Sequence, residues 1–121
     1  MGQFWALLWT IKPGSEKAVE DAFLSYGRPD HVVRDDEGNE KGRLLATQVF
    51  MKDNVIVRVI EFEGSILDVA PHMGRQAAIR ELEEKLDPHI SEARDMSTPE
   101  GAREFFMSTT MRCLIDRRHD E

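Results

Sequence analysis

Cysteine occurs once, as Cys113, so no internal disulfide can staple this chain, and a lone thiol fits a reducing cytoplasm. No apolar run is long enough to cross a bilayer. The opening stretch MGQFWALLWTIKPG lacks the basic start and small-residue cleavage site of a secretory leader. Gly2 invites a myristoyl chain, but no Ser or Thr stands at the hydroxyl position of that motif. Cations are outnumbered, with 16 Lys and Arg against 23 Asp and Glu, a net charge of −7. That balance argues against a phosphate-reading surface for nucleic acid and against docking on an anionic membrane. There is no glycine-rich phosphate loop and no nucleophile elbow. His31, His72, His89 and His119 are scattered without metal-ligand spacing, so neither a metal nor an organic cofactor is expected. Internal repeats and low-complexity segments are missing too.

What is present is enough for one domain: 121 residues, 40% hydrophobic and 32% charged, the profile of a soluble globular protein. The most informative stretch is NVIVRVIEFEGSILDVAPHMGR, residues 54–75. Its first half is β-branched and reads as a strand over 55–62. Alternation sends Val55, Val57, Val59 and Glu61 to one face and Ile56, Arg58, Ile60 and Phe62 to the other. Both faces are mostly apolar, and each carries one ionisable group. Arg58 and Glu61 therefore cannot pair along this strand; each, if buried, needs a partner from elsewhere or a ligand.

Residues 4–11, FWALLWTI, form a second buried strand, ended by Pro13-Gly14. Ser15 is a candidate N-cap for a helix over 16–24 with the stripe Ala18, Val19, Ala22, Phe23. Residues 25–42 are a long polar connection with a short strand over 32–34 and a turn at Asp36-Glu37-Gly38-Asn39. The acidic cluster Asp35-Asp36-Glu37 has no EF-hand spacing and reads as a solvated turn. Residues 43–51 form a strand whose tight link, Lys52-Asp53-Asn54, makes an antiparallel hairpin with 55–62. Ser65 with Asp68 resembles a capping box, and Pro71 and Gly74 predict a kink or break near His72. From Arg75, the stripe Ala78, Ile79, Leu82, Leu86 continues to Asp87-Pro88. Residues 90–97 read as a loop, Thr98-Pro99-Glu100 as the start of a short helix to Glu104, and 105–115 as the last strand. In that strand Cys113 alternates with Met111 and Ile115 as inert core. Residues 117–121 are a charged, frayed tail.

Strand, helix, strand, strand, helix, strand is the split βαβ, ferredoxin-like order: an α+β fold with an antiparallel sheet and helices on one face. Two helices cover one side only, yet the strands are greasy on both. A second copy covering the other side resolves this, so a homodimer closing into an α+β barrel is predicted from patterning.

Several side chains are candidates for chemistry. His72, beside Pro71, is a general acid/base or a partly exposed helix histidine. Arg58 binds an anionic oxygen or makes a structural ion pair. Glu61 pairs with a neighbouring strand or acts as a base. Arg112, with Ser108, Thr110 and Leu114 on its face, is a polar spot in a greasy cavity or a strand end at the surface. Arg28, Asp30, His31 and Arg34 reach over a pocket mouth or decorate a solvated loop.

The segments RPDHVVRD, GRLLATQVF, VRVIEFEG and HMGRQ, set in a match from about Trp5 to Cys113, resemble the SchA/CurD-like family of aromatic (type II) polyketide and spore-pigment pathways in actinomycetes. More distantly, the layout is similar to the tetracenomycin-type polyketide cyclases, which are dimeric α+β barrels. The resemblance implies one domain over residues 1–121 that guides aldol cyclisation and dehydration of a poly-β-ketone, without cofactor. It implies His72 as acid/base, Arg58 and Arg112 as oxyanion or carbonyl binders, and Arg28, His31 and Arg34 as loop contacts, with Glu61 beside the substrate. Trp5, Trp9, Phe50, Phe62, Phe106 and the methionines would line a pocket for a flat product or form ordinary core. Two other roles fit the same resemblance: a cofactor-independent monooxygenase acting on a polycyclic phenol, and a non-catalytic partner of the synthase or cyclase complex.

Overall fold

The opening apolar run becomes strand β1 (Gln3–Thr10), followed by helix α1 (Glu16–Leu24), the short strand β2 (Val32–Arg34) and the long strand β3 (Glu40–Lys52). Strand β4 (Val55–Glu63), helices α2 (Ile66–Arg75) and α3 (Ala77–Leu86), a 3-10 turn (Asp87–His89), helix α4 (Pro99–Thr109) and strand β5 (Thr110–Met111) complete the chain. This computed structural model describes residues 2–119; Met1, and Asp120 and Glu121 of the expected tail, lie outside the described residues. All strands belong to one antiparallel sheet in the order β2-β3-β4-β1-β5. Setting aside the short edge strand β2, β3-β4-β1-β5 is the ferredoxin-like order. The β3–β4 hairpin closes with Lys52 opposite Val55, and Asp53 takes the left-handed φ of 52° that so short a turn demands.

Register fixes which side chains share a face. Leu7 stands opposite Arg58 on β1 and Val49 opposite Arg58 on β3, so these three form one row on the helix side. Above that row lies one apolar cluster: Trp9, Ile56, Val19 and Ala22 of α1, Leu82 and Leu86 of α3, and Phe105 of α4. Below it lies another: Val33, Leu44, Ile60, Phe62, Val69 and Met73 of α2, and Ile79 of α3. Apolar area removed from water holds each helix down, at about 1.5–3 kcal/mol per fully buried Ile, Leu or Phe. The opposite sheet face carries Phe4, Leu8 and Phe50, and no helix among the described residues covers it; Phe50 is 57% exposed.

Five local expectations need correction. The strand expected over 105–115 is instead the second half of α4, and only Thr110 and Met111 join the sheet. Thr98 starts that helix, its hydroxyl accepting from the Gly101 amide at 3.0 Å. The β-branched end is tolerated because Thr109 and Thr110 each donate back to the carbonyls of Phe105 and Phe106, both at 2.7 Å. Arg112 and Cys113 consequently sit in the exposed segment after β5, so Cys113 is not core and the expected face of Ser108, Thr110, Arg112 and Leu114 does not exist. Helix α2 runs through Pro71, and the break falls at Gln76, whose ψ of 135° is extended. The carbonyl that Pro71 leaves without a donor belongs to Leu67, a residue 80% exposed, where solvent can take it. Ser15 precedes α1 without capping it, and its hydroxyl meets His89 Nδ1 at 3.0 Å. Ser65 caps α2 by accepting from the Leu67 amide, but Asp68 turns to Lys41, 3.3 Å away, so the capping box is only half made.

Gly64 joins β4 to α2 at φ 98°, and a Cβ there would stand 2.7 Å from the Lys41 carbonyl oxygen. Only glycine meets both conditions. Ile60, 2% exposed in the lower cluster, marks the core by a different route. Ile60→Ala is expected to cost about 2–5 kcal/mol in urea unfolding, whereas Leu67→Ala should stay within about 0.5 kcal/mol. Equal losses would mean that the lower cluster does not hold the helices.

Candidate functional site

The helix-facing side chains of β4 read Ile56, Arg58, Ile60, Phe62, and all are buried. Arg58 is 6% exposed and lies between the two apolar clusters. A buried guanidinium costs several kcal/mol in lost hydration unless its donors are matched. Here the matching is thin. Nη2 donates to the Tyr26 hydroxyl at 3.4 Å, and Nη1 lies 3.7 Å from Glu83 Oε1. Nε is buried with no hydrogen-bond partner among the described residues. The Tyr26 ring centroid stands 5.8 Å from the guanidinium carbon.

Arg94 shows what a saturated guanidinium looks like in the same fold. It donates to Glu83 Oε2 at 2.7 Å, to Asp87 Oδ1 at 2.8 Å and to the Glu83 carbonyl at 3.1 Å, and it lies over the Phe105 ring. Glu83 is therefore committed to Arg94, and Arg58 is left with its far side. Tyr26 packs against both clusters from the turn after α1. Burial raises the pKa of its phenol above the usual value of 10.0, and Arg58 pulls it back down. The group is a neutral O–H donor near neutral pH.

Beside this seam an open cleft of about 580 Å³ lies between α1 and the sheet. Val49, Met51 and Ile56 form its floor, Phe23 and Leu24 its wall, and Glu16, Lys17 and Glu20 its rim. Val49 is the cross-strand partner of Arg58, and Ile56 is two residues along on the same face. The floor of the cleft thus ends on the Arg58 row, with Tyr26 tucked under the last turn of α1, its backbone N–H donating to the Phe23 carbonyl at 3.2 Å.

The other expected site residues are dispersed. His72 is 8% exposed, and its Nε2 lies 2.7 Å from the Asp30 carbonyl oxygen. A carbonyl only accepts, so Nε2 carries the proton, and the ring pins the loop after α1 onto α2. Gln76 Nε2, 3.5 Å from the same nitrogen, is then no donor to it. Arg28 and His31 are exposed in that loop, and Arg34 closes its hairpin by donating to the Gly38 carbonyl at 3.2 Å. Glu61 points away from the helices and lies 3.8 Å from Arg118. Trp9 is core, Trp5 stacks on Phe106 at 6.0 Å and donates to Thr110, and Phe50 is on the uncovered face. Of the proposed constellation, only Arg58 stands beside the cleft. Tyr26, Glu83 and Arg94 were missed. Tyr26 is the one tyrosine of the chain and Glu83 flanks the stripe of α3, but neither feature reports a partner. Among the described residues no group of three or more His, Cys, Asp or Glu is placed to hold a metal ion.

Fold and site together define a ferredoxin-like α+β domain with a cleft between helix and sheet. The chain matches the SchA/CurD like domain over residues 2–118, and it belongs to that family. It is 39% identical over 106 residues to "Polyketide synthase CurD" of Streptomyces cyaneus, covering 88% of this chain and 28% of that protein. Similarity to the "42.8 kDa protein in whiE locus" of Streptomyces coelicolor is 37% over 106 residues, covering 88% of this chain and 25% of that one. For "Protein SchA" of Streptomyces halstedii it is 38% over 101 residues, with 84% and 25% covered. The chain thus spans about a quarter of the length of these relatives. No solved structure matches it.

With one tyrosine in the chain, phenolate absorbance near 295 nm reads Tyr26 alone. Its midpoint is expected above 10, and Arg58→Met should move it higher still, because the cation that favours phenolate is gone. The sign for stability follows: the folded pKa is raised, so the contribution is intact below about pH 10 and is lost as pH rises toward the folded value. A midpoint that falls in Arg58→Met would contradict the geometry. The ion network gives a second expectation. Arg58→Met should be neutral or stabilising by about 1–4 kcal/mol, while Glu83→Ala, which takes the carboxylate from Arg58 and leaves Arg94 only Asp87, should cost about 3–5 kcal/mol in urea unfolding.

Proposed function

We propose that this domain holds a poly-β-ketone, or a partly cyclised aromatic derivative of one, in the cleft between α1 and the sheet and guides its aldol ring closure and dehydration. Family membership supplies a polyketide context. The observation that carries the reading is Arg58: a buried cation with an unmatched Nε, standing across the ladder from Val49 on the floor of an apolar cleft. The cleft's volume lies in the range of small-molecule sites. Natural cores rarely keep an unsaturated guanidinium without a use for it.

The chemistry asks little of a strong base. A methylene between two ketones loses its proton readily, the resulting enolate carbon bonds to a distant carbonyl carbon, and that carbonyl oxygen takes a proton. Water then leaves with a neighbouring hydrogen. The difficult parts are holding a flexible chain in one shape and stabilising the enolate oxygen. Phe23, Leu24, Val49 and Met51 serve the first task by apolar contact, and Arg58 serves the second. In this reading His72 acts by anchoring the loop over α2, since its Nε2 proton is already given to Asp30. Arg112, exposed beyond β5, stands outside the site.

The uncovered sheet face belongs to the same reading. Phe4, Leu8 and Phe50 form an exposed apolar surface with the valines of β4, and a second copy of the chain covers it to close an α+β barrel. Phe50→Asp is expected to shift the sedimentation coefficient from dimer to monomer without unfolding the protein; a wild type that sediments as a monomer removes the barrel.

The test of the activity is a reconstituted synthase that releases an unreduced poly-β-ketone, run anaerobically with and without this protein. One ring pattern should dominate when it is added, and Arg58→Met should lower that product by about a hundredfold, as loss of an oxyanion donor does. An unchanged product profile would defeat the cyclase reading. Ring chemistry that appears only with oxygen would transfer the cleft to an oxygenase.

A further inference from the structure

The two clusters that Arg58 separates meet at one aromatic ring, Tyr26, which packs against both. A phenylalanine would fill that space as well. The hydroxyl is the part that packing does not require, and it is aimed at the guanidinium, 3.4 Å from Nη2. Its oxygen accepts from Arg58, so its hydrogen is free to point elsewhere; no acceptor for it stands within hydrogen-bond distance among the described residues. The same guanidinium has Nε unmatched. Two unclaimed donors, one from a phenol and one from a cation, thus lie together one row in from the cleft lining, next to its floor residue Val49.

We propose that the Tyr26 hydroxyl and Arg58 form a two-donor receptor for the oxygen of an enolised 1,3-diketone, Tyr26 setting preference for that oxygen over a merely apolar ligand. This rests on the cleft being the polyketone site. The phenol is suited to the task because Arg58 polarises its O–H bond while burial keeps the proton on. A hydrogen bond given to an anionic oxygen is about twice as strong as one between neutral groups. Glu83, the carboxylate facing the pair from α3, is held at 2.7 Å by Arg94 and stands 3.7 Å from Arg58, so it offsets only part of the receptor's charge. Tyr26 touches substrate oxygen in this scheme and forms no bond to carbon.

The probes are benzoylacetone, a 1,3-diketone whose enol and enolate absorb at different wavelengths, and butylbenzene, which has the ring and no oxygen. Wild type should bind both and should lower the pKa of bound benzoylacetone. Tyr26→Phe should weaken benzoylacetone about tenfold and return part of that pKa shift, leaving butylbenzene unchanged. Equal binding of benzoylacetone by both proteins, or equal loss of both probes in Tyr26→Phe, overturns the inference and leaves the cleft in place. Failure of wild type to bind either probe overturns the cleft reading and this one with it. A measurement on the wild type alone guards against a misfolded variant. The ¹³Cζ resonance of labelled Tyr26 should titrate at higher pH when benzoylacetone saturates the protein, because a second anion beside the phenol disfavours phenolate. An unmoved titration also counts against the receptor.

Discussion

Placing a guanidinium in the middle of the central strand's helix face is the constraint the rest of this domain works around. Ile56, Ile60 and Phe62 would make one continuous core; Arg58 cuts it in two. The cut has to be closed by something that packs like an apolar residue and yet faces a cation without penalty. Tyr26 does so with its ring against both clusters and its oxygen toward Arg58. The turn after α1 is then held where it is by that need, and His72 fastens the remainder of the loop through Asp30. A single charged position on β4 therefore organises the end of α1 and the turn after it, and the loop beyond is fastened to the second half of α2.

The carboxylates decide how much of the charge is left over. Had Glu83 reached Arg58 with both oxygens, the seam would be an ordinary buried ion pair, neutral and closed. Arg94 takes the shorter bonds, and the competition leaves Arg58 with contacts of 3.4 and 3.7 Å. Those distances fall outside the range of strong charge-assisted bonds. The residual stabilisation missing from the fold is the same quantity that a ligand oxygen would supply, which is how stability and binding come to trade against each other at one residue.

Much of the scaffold was legible because its signals are local. Alternation in VIVRVIEFE placed Arg58 and Glu61 on opposite faces, and α1 and β2 fall on the residues expected. The hairpin through Asp53 needed only the short polar link. The failures were also local in cause. Phe105 to Thr109 has strand composition, and its helical state depends on the Thr109 and Thr110 hydroxyls bonding back to carbonyls and on Trp5 stacking against Phe106. Propensity carries no trace of either. Pro71 reads as a break, but a helix tolerates it where the freed carbonyl faces water. The site was less legible still. Arg58 stood out as a charge in a strand, whereas Tyr26, Glu83 and Arg94 matter only through contacts between residues 11 to 32 positions apart. Nothing in a linear reading says that Arg94 outbids Arg58 for Glu83.

The period of two on β4 also keeps the two surfaces of the sheet independent. Arg58 and its neighbours Ile56 and Ile60 turn toward the helices, while Val57, Val59 and Glu61 turn toward the uncovered face. A change on one face leaves the other's row intact, so cleft and apolar outer surface can be altered separately. A slip of one residue would exchange them, burying Glu61 under the helices and turning Arg58 outward. The bulge between Leu44 and Ala46 confines such a shift to the end of β3. From Ala46 to Lys52 the pairing with β4 is unbroken, and that is the stretch in which Val49 meets Arg58. The irregularity sits beyond the site, and the regular ladder holds the cleft floor against the cation.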